Sequence, residues 1–147
     1  MVTRDPDFES NEWLRFQIRL LIRHPSIDPD QITKTLQLAP HRAHMVGTAR
    51  KGPKGHALPG LHRDSVWSQS FLEKRNRFFF RDAKKLIDAL EPHKAFLIDL
   101  EKEGGSVSLI FHLPGDVNIG DVLGWREMER LSAMRIDLGV EVFPEFN

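Results

Sequence analysis

The sequence predicts an α+β fold, with a sheet of about four strands and helices packed mainly on one of its faces. Three segments alternate apolar with polar residues, the period of two that places one face of a strand on a core and the other in water. Between them lie segments whose apolar residues recur every three or four positions, as on one face of a helix. Because strands and helices alternate while each strand keeps a polar face, the expected architecture is a ferredoxin-like plait or a variant of it.

Composition excludes several classes of protein. The 147 residues include 21 Lys plus Arg, 21 Asp plus Glu and no Cys. Zero net charge gives no whole-molecule attraction to polyanions, so we expect neither a nucleic-acid nor a membrane partner. The absence of Cys excludes disulfides, thiolate nucleophiles and thiolate metal sites. No apolar run reaches the roughly 20 residues that span a bilayer, and no secretory pattern is present, so the expected location is the cytoplasm.

The distribution of apolar residues predicts the domain boundaries. Residues 1–12 hold four acids and few apolar side chains, which predicts a flexible N-terminal arm. Residues 13–147 are long enough for one domain with a buried core, and we predict a single α+β domain there. Its first strand begins near Trp13, and its apolar face carries Phe16, Ile18, Leu20 and Ile22.

A short helix is predicted from Pro29 to about Leu36. Asp28 has a side chain that can accept hydrogen bonds from the first helical amides, and proline suits the first helical position. Gln31 completes a capping box. Pro40 forbids a longer helix.

Residues 41–63 predict a long basic loop. Six Gly or Pro residues interrupt any regular element, and the segment holds five Lys or Arg and no acid. Loops of this length are usually functional or disordered. The alternatives are a solvated loop without a ligand and a segment that contacts an anion or a nucleic-acid phosphate. The candidate anion-binding residues are Arg42, Arg50, Lys51, Lys54 and Arg63.

The same segment contains four histidines that are candidate metal ligands for a hydrolase, since neutral imidazole binds transition metals. Their spacing in an irregular segment fixes no coordination geometry. We therefore favour solvent-exposed histidines and expect no metal and no cofactor. The residues are His41, His44, His56 and His62.

The remaining chain predicts a strand near 66–68, helices over 79–90 and up to Gly104, a strand over 107–113, a helix over 122–134 and a last strand over 136–142. The helix 122–134 is expected to present Met128 and Leu131 inward. Residues on the apolar faces of all elements form one predicted core: Ile18, Leu20, Ile32, Leu36, Leu86, Leu90, Leu109, Phe111, Leu131, Leu138 and Val140.

Three consecutive phenylalanines begin the helix 79–90. Successive helical residues turn by about 100°, so Phe78, Phe79 and Phe80 cannot all face the core. Phe79 is in phase with the apolar residues that follow it. Phe78 and Phe80, with Arg77 and Arg81 as a polar rim, are therefore candidates for a homodimer or partner interface. Incidental exposure of one phenylalanine is the alternative.

Several of these features occur together in a known family. They are the helix start 27–33, its continuation 36–40, Gly47, the lone Trp67 on its strand and the closing segment 131–143. From about residue 16 to residue 143, the chain resembles the bacterial family catalogued as domain of unknown function 4279.

The resemblance implies a bacterial cytoplasmic protein, and it implies no catalytic or binding residues. Two positions depart from the family pattern: Glu141 and Phe143 stand where the family usually has Asp and Tyr. Any role of that tyrosine hydroxyl is therefore absent from this chain.

The sequence predicts a non-enzymatic binding or protein-interaction module, and the family resemblance implies a bacterial one. No nucleophile elbow and no cofactor fingerprint occurs in the sequence. One alternative is an anion or nucleic-acid binder that uses residues 41–63. A third possibility is a metal-dependent hydrolase that uses the loop histidines. The expected partner is another protein or a second copy of the chain.

Overall fold

The structure is a computed structural model that describes residues 16–72, 78–116 and 118–143. Its strands are β1 (Gln17–His24), β2 (Arg42–His44), β3 (Ala49–Lys51), β4 (Ala57–Leu61), β5 (Ser65–Leu72), β6 (Ser106–Pro114) and β7 (Ile136–Phe143). Its α-helices are α1 (Pro29–Leu36), α2 (Phe79–Leu90), α3 (Lys94–Lys102) and α4 (Trp125–Ala133), with a 3-10 turn (Glu91–His93) between α2 and α3. The predicted arm 1–12 lies outside the described residues.

The described strands form a five-stranded mixed sheet in the order β2-β5-β1-β6-β7 and a separate hairpin of β3 and β4. β1 is antiparallel to both β5 and β6, whereas β7 is parallel to β6. The α+β class is confirmed. The prediction of four strands is wrong, because the sheet has a fifth strand, β2, and the observed strand order does not confirm a ferredoxin-like plait.

The segment 41–63 contains three strands where the sequence predicts only a loop. β2 pairs with β5, and β3 pairs with β4. Gly47 and Gly55 have φ angles of 81° and 84°, which favour glycine and allow the chain to reverse at both ends of β3. The amide of His62 donates to the carbonyl of Thr48 (2.9 Å) and closes the base of the hairpin. Strands of three residues are too short to show a period, so the sequence pattern missed them.

Helices cover one face of the sheet and enclose the core. The register places Leu20 beside Leu109, and Ile22 beside both Trp67 and Val107, with all five side chains fully buried. The predicted core is confirmed at Ile18, Leu20, Ile32, Leu36, Leu86, Leu90, Leu109, Phe111 and Leu131.

The core prediction is wrong at the far edge of the sheet. Leu138 and Val140 are 42% and 51% exposed, and Met128 of α4 is half exposed. α4 has only nine residues and ends just before β7, so it covers Ile136 at the start of that strand and leaves the rest open. Alternation along β7 identified one face of the strand correctly, but it could not show that this face has no helix above it.

The predicted start of α1 is confirmed. The Asp28 carboxylate accepts a hydrogen bond from the amide of Asp30 (2.9 Å), with Pro29 at the first helical position. One turn farther on, the Thr33 hydroxyl accepts a hydrogen bond from Trp67 Nε1 (3.0 Å). This bond fixes α1 on the buried face of β5.

Candidate functional site

Arginines occupy the sheet face that the helices leave open. Because alternate β1 residues enter the core, Arg19 and Arg23 lie on the opposite face. Arg42 and His44 of β2 share that face, since they pair with residues of β5 on the same side. Two strands that are distant in the sequence therefore bring four nitrogen-rich side chains to one surface.

A cleft of about 450 Å³ separates this open face from the β3–β4 hairpin. Among the described residues that line it, five are arginines and a single one, Asp64, is an acid. The volume is within the range of about 300–1,000 Å³ that is typical of small-molecule sites. We call this feature the basic cleft, and its arginines are Arg19, Arg23, Arg42, Arg50 and Arg63.

The bonds that hold these arginines leave many donors uncommitted. Arg23 Nη1 lies 3.4 Å from a carboxylate oxygen of Asp64, and Arg50 Nη1 donates to the carbonyl of Pro59 (3.2 Å). Arg19 Nε is buried and has no hydrogen-bond partner within the described part of the chain. Each guanidinium carries five N–H donors, so one contact leaves most of them available to a ligand.

Two histidines stack at the wall of the basic cleft. The rings of His44 and His62 are 3.5 Å apart between centroids and 11° from parallel. Burial holds the pKa of His44 below its usual range, and the neighbouring His62, Arg42 and Arg23 lower it further, although Asp64 acts in the opposite direction. His44 is therefore neutral at neutral pH in the free domain.

This arrangement suits the binding of an anion. A guanidinium presents a planar fork of donors that matches the oxygens of a carboxylate or phosphate. Five guanidinium groups around one carboxylate leave a local excess of positive charge in a protein whose net charge is zero.

The structure brings together only some of the predicted anion-binding residues. Arg42, Arg50 and Arg63 line the basic cleft. Lys51 and Lys54 are exposed on the hairpin and are not among its lining residues. A direct role for these two lysines stays a prediction.

Sequence reasoning missed Arg19 and Arg23. Their spacing of four on an alternating strand was a usable signal, because it places both on the polar face of β1. What the pattern could not show is that the segment 41–63 folds back over that face, because a charged outward face normally meets only solvent.

The candidate metal ligands separate in the structure. His44 and His62 stack, whereas His41 Nδ1 accepts a hydrogen bond from the amide of Ser70 (3.0 Å) and His56 is exposed beside Gly52 in the hairpin. No group of three or more His, Asp or Glu residues within 16–72, 78–116 and 118–143 is arranged to hold a metal ion.

The candidate aromatic interface lies only partly within the described residues. The Phe80 ring packs 4.9 Å from that of Phe111 and is partly buried. Phe78 is also partly buried, and the Arg81 guanidinium lies 4.2 Å from its ring centroid. Arg77 lies outside the described residues. An interface through this group stays a prediction.

A comparison with family models decides the relationship that the sequence resemblance predicted. The model described as Domain of unknown function (DUF4279) matches residues 15–142. The chain belongs to DUF4279. No curated protein and no solved structure matches it. The description of DUF4279 names no reaction and no ligand, so a function for this DUF4279 chain has to be argued from its basic cleft.

Proposed function

We propose that this domain is a binding module for small anionic ligands that carry two or more negative charges on phosphate or carboxylate groups. The observation that supports the proposal is the basic cleft, where five arginines and two histidines surround about 450 Å³ with one carboxylate. A bound polyanion would relieve the repulsion between the guanidinium groups that line the basic cleft.

The lining favours a compact ligand over a nucleic-acid strand. Non-specific strand binders use aromatic rings on which successive bases stack. The described lining of the basic cleft includes no Phe or Trp, and the two imidazoles stack on each other. We place the module in the bacterial cytoplasm, the setting that the family resemblance implies.

The test is calorimetric titration of the full chain with sulfate, pyrophosphate and tripolyphosphate. We expect affinity to increase with ligand charge and to fall with salt. Arg19→Gln combined with Arg42→Gln should weaken tripolyphosphate binding by roughly tenfold or more, because hydrogen bonds to charged groups contribute about 1.5–3 kcal/mol each.

The matched control is Lys51→Gln combined with Lys54→Gln, which also removes two positive charges but from the hairpin outside the lining of the basic cleft. Its affinity should stay within roughly twofold of the wild type, because both lysines are exposed to solvent and screened. Equal weakening by the two double variants would show a diffuse charge effect and contradict a built site. No binding by any of the three anions at low salt would contradict the proposed function. Tighter binding to DNA, RNA or heparin than to tripolyphosphate would favour a polymer ligand.

Anion affinity is expected to rise as the pH falls. The pKa of His44 is low in the free domain because of burial and the nearby positive groups. An anion beside the imidazole stabilises its protonated form, so binding takes up a proton and the pKa is higher in the complex. Affinity should therefore be constant above the pKa of the complex, rise as the pH falls through it, and level off below the lower pKa of the free domain.

Sulfate is the probe for this measurement, since its own charge does not change between about pH 5 and pH 8. We expect the affinity for sulfate to be roughly threefold to tenfold higher at about pH 5 than at about pH 8. His44→Gln should remove most of the gain, while His56→Gln, which alters an exposed histidine outside the basic cleft, should keep it. If His44→Gln keeps the full increase in sulfate affinity at the lower pH, the proton taken up on binding belongs to another group.

A further inference from the structure

The edge of the sheet opposite the basic cleft presents a strand with an open side. β7 has eight residues, and among the described strands it pairs only with β6. On its other side, residues 136–142 pair with no strand in the described part of the chain, so their outward backbone N–H and C=O groups are open to an added strand. Natural proteins usually shorten, cover or twist such edges, because an exposed edge is a template for another strand.

The helix side of β7 is apolar and exposed. Leu138, Val140 and Val142 are 42%, 51% and 61% exposed, although their alternation is that of a buried strand face. Beside the first of them lies a groove of about 580 Å³, whose apolar lining includes Leu123 and Met128. Apolar side chains in this arrangement can receive alternate side chains of an added strand.

The other side of β7 is acidic. Asp137 and Glu141 alternate with the apolar residues and are both exposed. A carboxylate oxygen of Glu141 lies 3.3 Å from His112 Nδ1. Burial lowers the pKa of His112, although Glu141 acts in the opposite direction. The imidazole is therefore neutral near neutral pH and does not cancel the charge of this carboxylate. The edge therefore has one apolar and one negatively charged face.

The charge pattern of β7 disfavours a second copy as the occupant in the register centred on Gly139. In an antiparallel β7–β7 pair centred on Gly139, Asp137 of one copy would lie opposite Glu141 of the other. Like charges directly opposite each other destabilise a strand pair. An extended segment that alternates apolar and basic residues meets both faces of β7 favourably.

We propose that β7 is a docking edge for an extended peptide segment of alternating apolar and basic residues, which adds to the sheet as a sixth strand. Backbone hydrogen bonds along β7 hold the segment, its apolar side chains cover Leu138, Val140 and Val142, and its basic side chains lie opposite Asp137 and Glu141. This site is independent of the basic cleft, and its test does not depend on anion binding.

The test uses the full chain and a fluorescein-labelled peptide of eight residues that alternates valine and lysine, followed by anisotropy. We expect saturable binding, roughly tenfold weaker binding of the same peptide with glutamate in place of lysine, and similar weakening for a peptide that groups the valines and lysines in two blocks. Hydrogen exchange of the β7 amides should slow when the alternating peptide binds.

Two variants and two matched controls locate the contact. Val140→Lys, on the apolar face, and Asp137→Lys, on the acidic face, should each weaken binding by roughly tenfold. Met45→Lys replaces another exposed apolar residue and Asp99→Lys another exposed aspartate, both outside β7, and both variants should bind the peptide like the wild type. Circular dichroism of each variant establishes that it is folded.

Several outcomes overturn the proposal. One is equal weakening by Asp137→Lys and Asp99→Lys, which would reduce the effect to general charge attraction. Another is unchanged exchange of the β7 amides in the presence of saturating peptide. A third is a dimer in sedimentation that Val140→Lys dissociates, since β7 would then be occupied by a second copy.

Discussion

Leu109→Ala is expected to lower the free energy of unfolding by about 2–5 kcal/mol, whereas Leu138→Ala should lower it by less than about 1 kcal/mol. Both residues are leucines that alternate inward, and they are register partners on neighbouring strands. Leu109 is fully buried under the helices, so truncation removes its contacts and leaves a cavity. Leu138 is 42% exposed, so water already occupies part of its surroundings and little is lost.

Urea unfolding followed by circular dichroism measures the difference, provided that the denaturant dependence of both variants matches the wild type. The pair also tests whether β7 is open to solvent. A loss of several kcal/mol in Leu138→Ala would mean that a partner or another part of the chain covers this edge in solution. A small loss in Leu109→Ala would contradict the placement of β6 at the centre of the core.

The second large effect is expected at Trp67, where Trp67→Ala should cost about 3–5 kcal/mol. Trp67 is fully buried between α1 and the sheet, and its Nε1 donates to the Thr33 hydroxyl at 3.0 Å. The variant loses the largest side chain of the core and the hydrogen bond that ties α1 to β5. The stability of Trp67→Phe should lie between that of Trp67→Ala and that of the wild type, because phenylalanine keeps most of the apolar area and lacks the N–H donor.

Trp125→Ala is the matched control, since Trp125 is 65% exposed on α4. We expect its stability to stay within about 0.5 kcal/mol of the wild type. Thermal unfolding of the three variants and the wild type gives the order of their stabilities. Equal losses at Trp67 and Trp125 would contradict the burial difference between them, and a Trp67→Phe variant as unstable as Trp67→Ala would assign most of the loss to the hydrogen bond.

The sequence by itself predicted the local elements well, because their causes are local. Alternation placed β1 and β6, helical periodicity placed α2, and the Asp28 cap with Pro29 placed the start of α1. Each of these signals depends on residues within a few positions of one another. The family was predicted from the resemblance of a few segments to a known family, and the family model confirms it.

The tertiary structure alone decided which predicted faces are covered. Val140 carries the same alternation signal as Leu109, yet it is exposed because α4 is too short to reach it. A periodic pattern reports which side chains share a face, and burial depends on what the rest of the chain packs against that face.

The basic cleft also depends on tertiary structure. Arg19 and Arg42 are 23 positions apart in the sequence, and they share a surface only because β5 pairs with both β1 and β2. The sequence determined the charge of each residue and the polar face of β1. Strand order and the return of the hairpin over the sheet, which depend on contacts distant in the sequence, determined that these charges meet in one site.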